Sequence, residues 1–206
     1  MVEHLTCNEV VLGSIPRGGS MIISHTNKFI FIKSEKTAGS SVEQALQPSL
    51  LETDIYLPGS HMLPFQIIET YPIDIFDYFK FSIVRNPYDK MVSHYYWQQS
   101  IENNRYGSFD LLVKDFYDYK SISNWKYYSI DNNNIMNKII KFENLQNDLN
   151  NLPINTNIDI SNIFEKSNVR PANIAYQELY STTSKEMVEE QCSNEIEMFN
   201  YKFEEV

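Results

Sequence analysis

Cysteine is nearly absent: Cys7 and Cys192 stand far apart in a chain of 206 residues. Two distant thiols make no disulfide framework and no metal pattern, and they fit a reducing compartment best. Histidine is scarce, with four in all, and no His/Cys/Asp cluster has metal-ligand spacing. No apolar run reaches the length of a membrane-crossing helix, and the N-terminus lacks a charged-then-apolar leader. The expectation is a cytoplasmic protein with no membrane span. Positive charge is also short, with 17 Lys and Arg against 27 Asp and Glu, for a net charge of −10. That balance argues against nucleic acid as a partner and against a heavily sulfated polyanion, each of which wants a basic surface. Glycine is sparse, and nowhere does it build the G-x-x-x-x-G-K-[ST] loop of a Walker A site.

What is present is the composition of a folded globule, with 42% hydrophobic and 14% aromatic residues. The length suits one domain, and the pattern reads as a single α/β domain over residues 1–206, with a mainly parallel sheet flanked by helices. Residues 1–27 read as irregular, and Pro16-Arg17-Gly18-Gly19 marks a turn. Residues 48–64 read as a loop, and a short helix is expected over residues 67–71 before Pro72. Residues 101–134 read as short helices and loops, with turns at residues 131–134 and 150–151. In the last helix, Thr183 and Glu186 fit a capping box, and Val188, Cys192, Ile196 and Phe199 share a face.

The most informative stretch is residues 29–46. Phe29, Ile30, Phe31 and Ile32 predict a buried strand, while Val42, Ala45 and Leu46 fall on one face of a helix. Between them lie Lys36, Thr37, Ala38, Gly39, Ser40 and Ser41. Small residues let the backbone wrap an anion, and the N–H groups and dipole of the helix start favour negative charge there. Lys36 adds a mobile cation, and the hydroxyls add donors. The plainer alternative is an ordinary strand–loop–helix connection with a solvated lysine.

A second junction follows at residues 79–97. Phe79, Phe81 and Ile83 alternate with Lys80 and Ser82, as in a strand. Asn86 then Pro87 reads as an N-cap with proline at the first helical position, and Asp89 lies in the first turn. Arg85 therefore ends a strand, and Ser93 lies about two turns into the next helix. In open α/β sheets ligands bind at the carboxyl ends of strands. A guanidinium with a nearby hydroxyl suits a second phosphate. Taken alone, Arg85 could equally be a partner for Asp89, and Ser93 a helix serine with no task.

Together the two segments, Lys36-Thr37-Ala38-Gly39-Ser40-Ser41 and Val84-Arg85-Asn86-Pro87-Tyr88-Asp89-Lys90-Met91-Val92-Ser93, resemble those of the PAPS-dependent sulfotransferases. The likeness is to the branch with the carbohydrate and heparan sulfate 2-O-sulfotransferases and their bacterial relatives. It continues through Phe142-Glu143-Asn144-Leu145 and the closing segment from Tyr176 to Phe203, and so covers most of residues 20–204. The resemblance implies a P-loop-like sulfotransferase fold. It implies that residues 36–41 hold the 5′-phosphosulfate of PAPS, that Arg85 and Ser93 hold the 3′-phosphate, and that Arg170 lies in a loop over the nucleotide. PAP would be the product and no metal is required. Ser34 and Glu35 depart from the family, which usually has proline before the lysine. Glu35 puts a negative charge near an anion site.

Sulfuryl transfer also needs a base near the acceptor. His4, His25, His61 and His94 are the histidines, and His61 lies where related enzymes carry one on the loop facing the acceptor. The expected catalytic pair is Lys36 and His61, with Glu52 and Asp54 as runner-up bases. His94 reads as structural. The acceptor would be a hydroxyl or amine on a small molecule or carbohydrate. Competing functions are a P-loop-like nucleotide kinase and a non-catalytic nucleotide-binding protein.

Overall fold

Every side chain of strand β2 (Phe29–Ile32) is buried, so this strand needs cover on both faces. The computed structural model describes residues 20–58, 62–71, 77–101, 105–156 and 175–203, and it supplies that cover. In chain order the elements are β1 (Ser20–Ser24), β2, α1 (Gly39–Leu46), β3 (Ile55–Pro58), α2 (Pro64–Thr70), β4 (Phe79–Val84), α3 (Pro87–Ile101) and α4 (Phe109–Tyr119). Then come β5 (Ser129–Ile130), β6 (Asn133–Asn134), β7 (Lys138–Lys141), α5 (Leu145–Asn150), α6 (Thr182–Gln191) and α7 (Ser193–Phe199).

Five strands form one sheet in the order β3-β1-β2-β4-β7. β2, β4 and β7 are parallel neighbours, while β1 runs antiparallel to both β2 and β3. The class is α/β, as the pattern of strands and helices implied, but the sheet is mixed. Four strands point one way, and β1 runs against them. β1 and β3 fall where the sequence read as irregular or as loop. Each is a short run beside turn residues, and its pairing comes from other strands: β1 from the adjacent β2 and β3 from the more distant β1.

One face carries Phe29, Phe31, Phe81, Ile83 and Ile140 against Val42 and Leu46 of α1 and Leu145 and Leu149 of α5. The other carries Met21, Ile23, Ile30 and Ile32 against Ile67, Tyr127 and Tyr128. A third cluster joins α3, α4 and α6 through Tyr88, Val92, Phe109, Leu112 and Val188.

The predicted strands over 29–32 and 79–84 match β2 and β4. The predicted short helix falls on α2, which begins at Pro64 rather than Ile67. Asp131 and Asn132 take left-handed backbone (φ 49° and 62°) and turn β5 into β6. The final helix differs. It is capped by Ser181, whose hydroxyl accepts the Ser184 N–H, not by Thr183, and it breaks at Cys192 into α6 and α7. No helix among the described residues is long and apolar enough to cross a membrane.

Candidate functional site

The carboxyl ends of β2 and β4 lie side by side, and both junctions of interest leave from that edge. Between β2 and α1 the chain makes an unusual bend. Lys36 and Ala38 both adopt left-handed backbone, with φ 58° and 62°. For residues other than glycine this costs roughly 1–2 kcal/mol each. Strain of this kind persists only where the surroundings over-determine it, and it gathers at functional sites.

The surroundings are explicit. Thr37 is fully buried, and its hydroxyl donates to the Ser34 carbonyl at 3.1 Å. The Ser34 hydroxyl donates across the sheet to the Ile83 carbonyl at the end of β4. Arg85 donates from Nη1 to the Lys36 carbonyl at 3.2 Å. Thus Thr37, expected to offer its hydroxyl to an anion, uses it to hold the loop. Gly39 has a structural reason as well: a Cβ there would meet Lys33 Cγ at 2.5 Å. Lys33 crosses the start of α1 to pair with Glu43 at 2.9 Å, so it adds no unpaired charge to the site.

What remains open is the start of α1. Ala38 caps it without a side-chain bond, and its first turn carries no acid. The Ser41 and Val42 N–H groups turn back to the Ala38 carbonyl. Those of Gly39 and Ser40 meet no acceptor among the described residues. Ser40 is exposed and Ser41 buried.

Lys36 is half-buried, and its ammonium has no carboxylate partner among the described residues. It lies 4.8 Å from the centre of the Trp97 ring. Burial first, and then the positive charge of Arg85, pull its pKa down to about 8, while Glu35 pushes the other way. The Glu35 carboxylate is turned to Tyr127, whose hydroxyl donates to it at 2.9 Å. Asn124 donates to the Glu35 carbonyl at 2.9 Å. Asn124 in turn gives its own N–H to Glu195 of α7, a buried carboxylate that also accepts the Ser123 hydroxyl. The Glu35 carboxylate is thus tied to Tyr127, yet close enough to Lys36 to act on its charge.

Arg85 is engaged on three sides. Nε and Nη2 donate to Asp89 at 2.7 and 2.6 Å, Nη1 holds Lys36, and Phe142 lies under the guanidinium at 4.1 Å. The predicted cap is present: Asn86 Oδ1 accepts the Tyr88 N–H at 3.0 Å. Asp89, Ser93 and Trp97 fall four residues apart along α3. Because Asp89 touches Arg85 and Trp97 touches Lys36, half-buried Ser93 sits in the row that faces both cations.

Lys36, Arg85 and Ser93 are thus brought to one edge. The runner-up bases are not. Asp54 accepts the Leu51 and Thr26 N–H groups and the Ser24 hydroxyl beside the β1–β2 turn, at the amino end of β2. Burial would raise its pKa, yet those hydrogen bonds hold it below the ordinary value. Glu52 lies in the same turn region, and His25 bonds Tyr78 there. His61, Arg170 and His4 lie outside the described residues. Sequence reasoning passed over Trp97 as a contact of Lys36 and Phe142 as a platform for Arg85. Neither has a local signal, since each contact crosses between elements. Among the described residues no group of three or more His, Cys, Asp and Glu could hold a metal ion.

No protein-family model, curated protein or solved structure matches the chain.

Proposed function

We propose that the chain is a PAPS-dependent sulfotransferase that moves a sulfuryl group to a hydroxyl or amine of a small molecule or carbohydrate. The observation that carries this reading is Lys36. It is a half-buried ammonium with no carboxylate partner among the described residues, held in strained backbone beside an acid-free helix start. Such a group is costly in an empty site and useful once an anion fills it.

In this reading residues 36–41 seat the 5′-phosphosulfate, with the Gly39 and Ser40 N–H groups and the dipole of α1 facing it. Thr37 contributes backbone rather than hydroxyl. Lys36 stabilises the charge that grows on the bridging oxygen as the sulfur–oxygen bond to PAP breaks and the bond to the acceptor forms. A base takes the acceptor's proton, and the sequence resemblance assigns that task to His61. Arg85 and Ser93 hold the 3′-phosphate, with Arg170 over the nucleotide, and no metal takes part. The enzyme would work in the cytoplasm. Arg85 has five N–H donors, and those not given to Asp89 and the Lys36 carbonyl would serve the 3′-phosphate.

The test is ligand-induced thermal stabilisation with PAP, AMP, ADP and ATP, each with and without Mg²⁺. PAP should stabilise most, without Mg²⁺. A preference for Mg-ATP would replace this reading with a kinase. Labelled PAPS offered to a panel of acceptors then separates an enzyme from a silent binder.

A further inference from the structure

Beyond the loop, α3 carries two buried polar atoms with no hydrogen-bond partner among the described residues, His94 Nε2 and Gln98 Oε1. Their residues lie one turn apart on one side of the helix and are only 7% and 9% exposed. Buried polar atoms are as a rule hydrogen-bonded, so two unmet neighbours call for an account. His94 packs edge-on against Phe116 at 4.5 Å between ring centres. Its other aromatic neighbour is Trp97, at 5.4 Å. The same indole carries the Lys36 ammonium at 4.8 Å. Trp97 therefore touches both Lys36 and His94 of the buried pair. Burial and then the charge of Lys36 lower the His94 pKa to about 3, so the imidazole is neutral. A neutral imidazole offers one N–H and one lone pair.

We propose that His94 and Gln98 form a covered subsite for a neutral hydroxyl group, capped by Trp97, and that an anion taken up by Lys36 releases the cap. The assignment of that hydroxyl to the sulfuryl acceptor rests on the function proposed above. The chemistry of the pair selects the ligand. A hydroxyl donates to Gln98 Oε1 and accepts from His94 Nε2–H, which satisfies both atoms at once. A carboxylate or sulfate offers only acceptors and meets the Gln98 oxygen with repulsion. An alkyl group satisfies neither. The fitting ligand is a neutral ring alcohol, a sugar or a phenol, whose face can lie against the indole. The coupling follows from Lys36. A phosphate or phosphosulfate attracts the ammonium more strongly than an aromatic face does, and Trp97 then loses the contact that holds it in place.

Trp125→Phe leaves Trp97 as the only tryptophan, so indole fluorescence reports the cap. Inorganic pyrophosphate should change that emission. Phenol or methyl glucoside, followed by ligand-detected NMR, should then bind at least about tenfold tighter, and pyrophosphate should tighten by the same factor when the alcohol is present. Fluorobenzene, a ring without the hydroxyl, should show no such coupling. Gln98→Leu and, independently, His94→Phe should erase the coupling while PAP affinity stays as in the parent. Equal affinity of both alcohols with and without pyrophosphate overturns the proposal. So does coupling that survives Gln98→Leu. The two ideas fail separately. PAP binding no tighter than AMP sinks the sulfotransferase reading and leaves any pyrophosphate–alcohol coupling standing, whereas a normal PAP preference without coupling sinks the subsite alone.

Discussion

The junctions after β2 and after β4 share an architecture and differ in how their cations are treated. Both leave adjacent parallel strands at the same edge and turn into a helix. After β4 the local rules are obeyed. Asn86 caps, Pro87 opens the helix, and Arg85 is paired with Asp89 and stacked on Phe142. After β2 they are broken. Ala38 is a cap without a side-chain bond, worth about 1 kcal/mol less than a serine or asparagine there. Two residues are left-handed, and a lysine is held half-buried with no carboxylate partner among the described residues. One junction is built to be stable, and the other gives up stability, which the proposed function accounts for as keeping an anion seat open. Sequence alone makes them look alike, because both place a cation between a strand and a helix.

The sharpest way to break this contrast is at Lys36. Lys36→Met should lower transfer by about 10²–10³-fold or more, measured with labelled PAPS. At the same time it should raise stability at pH 7 by roughly 1–3 kcal/mol in denaturant melts, because it removes a desolvated charge. The sign follows from the pKa. The folded protein loses this proton near about 8, whereas an unfolded lysine keeps it to 10.5. Between those values the unfolded chain binds more protons, so wild-type stability gains as pH rises and the advantage of Lys36→Met shrinks. PAP affinity should be flat below pH 8 and fall above it, since the anion needs the protonated lysine.

Arg85 should behave in the opposite way. Arg85→Ala leaves the Asp89 carboxylate, 19% exposed, without its cation and releases the Lys36 carbonyl. It should destabilise the fold by about 2–4 kcal/mol, and Asp89→Ala on the same background should recover part of that loss. Its PAP affinity should drop ten- to hundredfold, with little preference left over AMP by calorimetry, the loss of a charge-assisted contact being worth about 1.5–3 kcal/mol. Unchanged discrimination would place the 3′-phosphate elsewhere.

Gly39→Ala tests whether the first junction is limited by packing rather than by a ligand. The new methyl meets the stem of Lys33, so a loss of about 1–3 kcal/mol in thermal or denaturant melts is expected without PAP present. The smallest effect belongs to Glu35. Glu35→Gln removes the charge that holds the Lys36 pKa up, so the pH limit of PAP binding should move to lower pH. Affinity at neutral pH should change by less than about threefold, as the carboxylate is tied to Tyr127.

Much of this edge was legible in the chain. The run from Phe29 to Ile32 could only be a buried strand, and Asn86-Pro87 could only open a helix, because both signals lie within one element. Lys36 and Arg85 could be placed at one sheet edge from connectivity alone. The rest depends on contacts between distant residues. Ser34, Thr37 and Ile83 cooperate across 49 positions of sequence, and no local pattern announces that. The room that Gly39 leaves is taken up in part by the Lys33 stem, which no local pattern announces. β1 and β3 are stabilised by pairing to each other and to β2, not by their own composition. The break at Cys192 escaped because Val188, Cys192 and Ile196 keep helical spacing straight through it.

The link from Glu195 through Asn124 to the Glu35 carbonyl has a consequence for when the protein becomes competent. Its two steps span 71 and 89 positions of sequence, so the brace on the Lys36 loop is anchored far downstream of it. A chain emerging from the ribosome can pair β2 with β4 and form α1 early. The bond that orients Asn124 beneath the Lys36 turn forms only once α7 has been made and docked. A chain clipped before α7 would carry the lysine and the helix start without that brace, and under the proposed function its anion capture would be weaker.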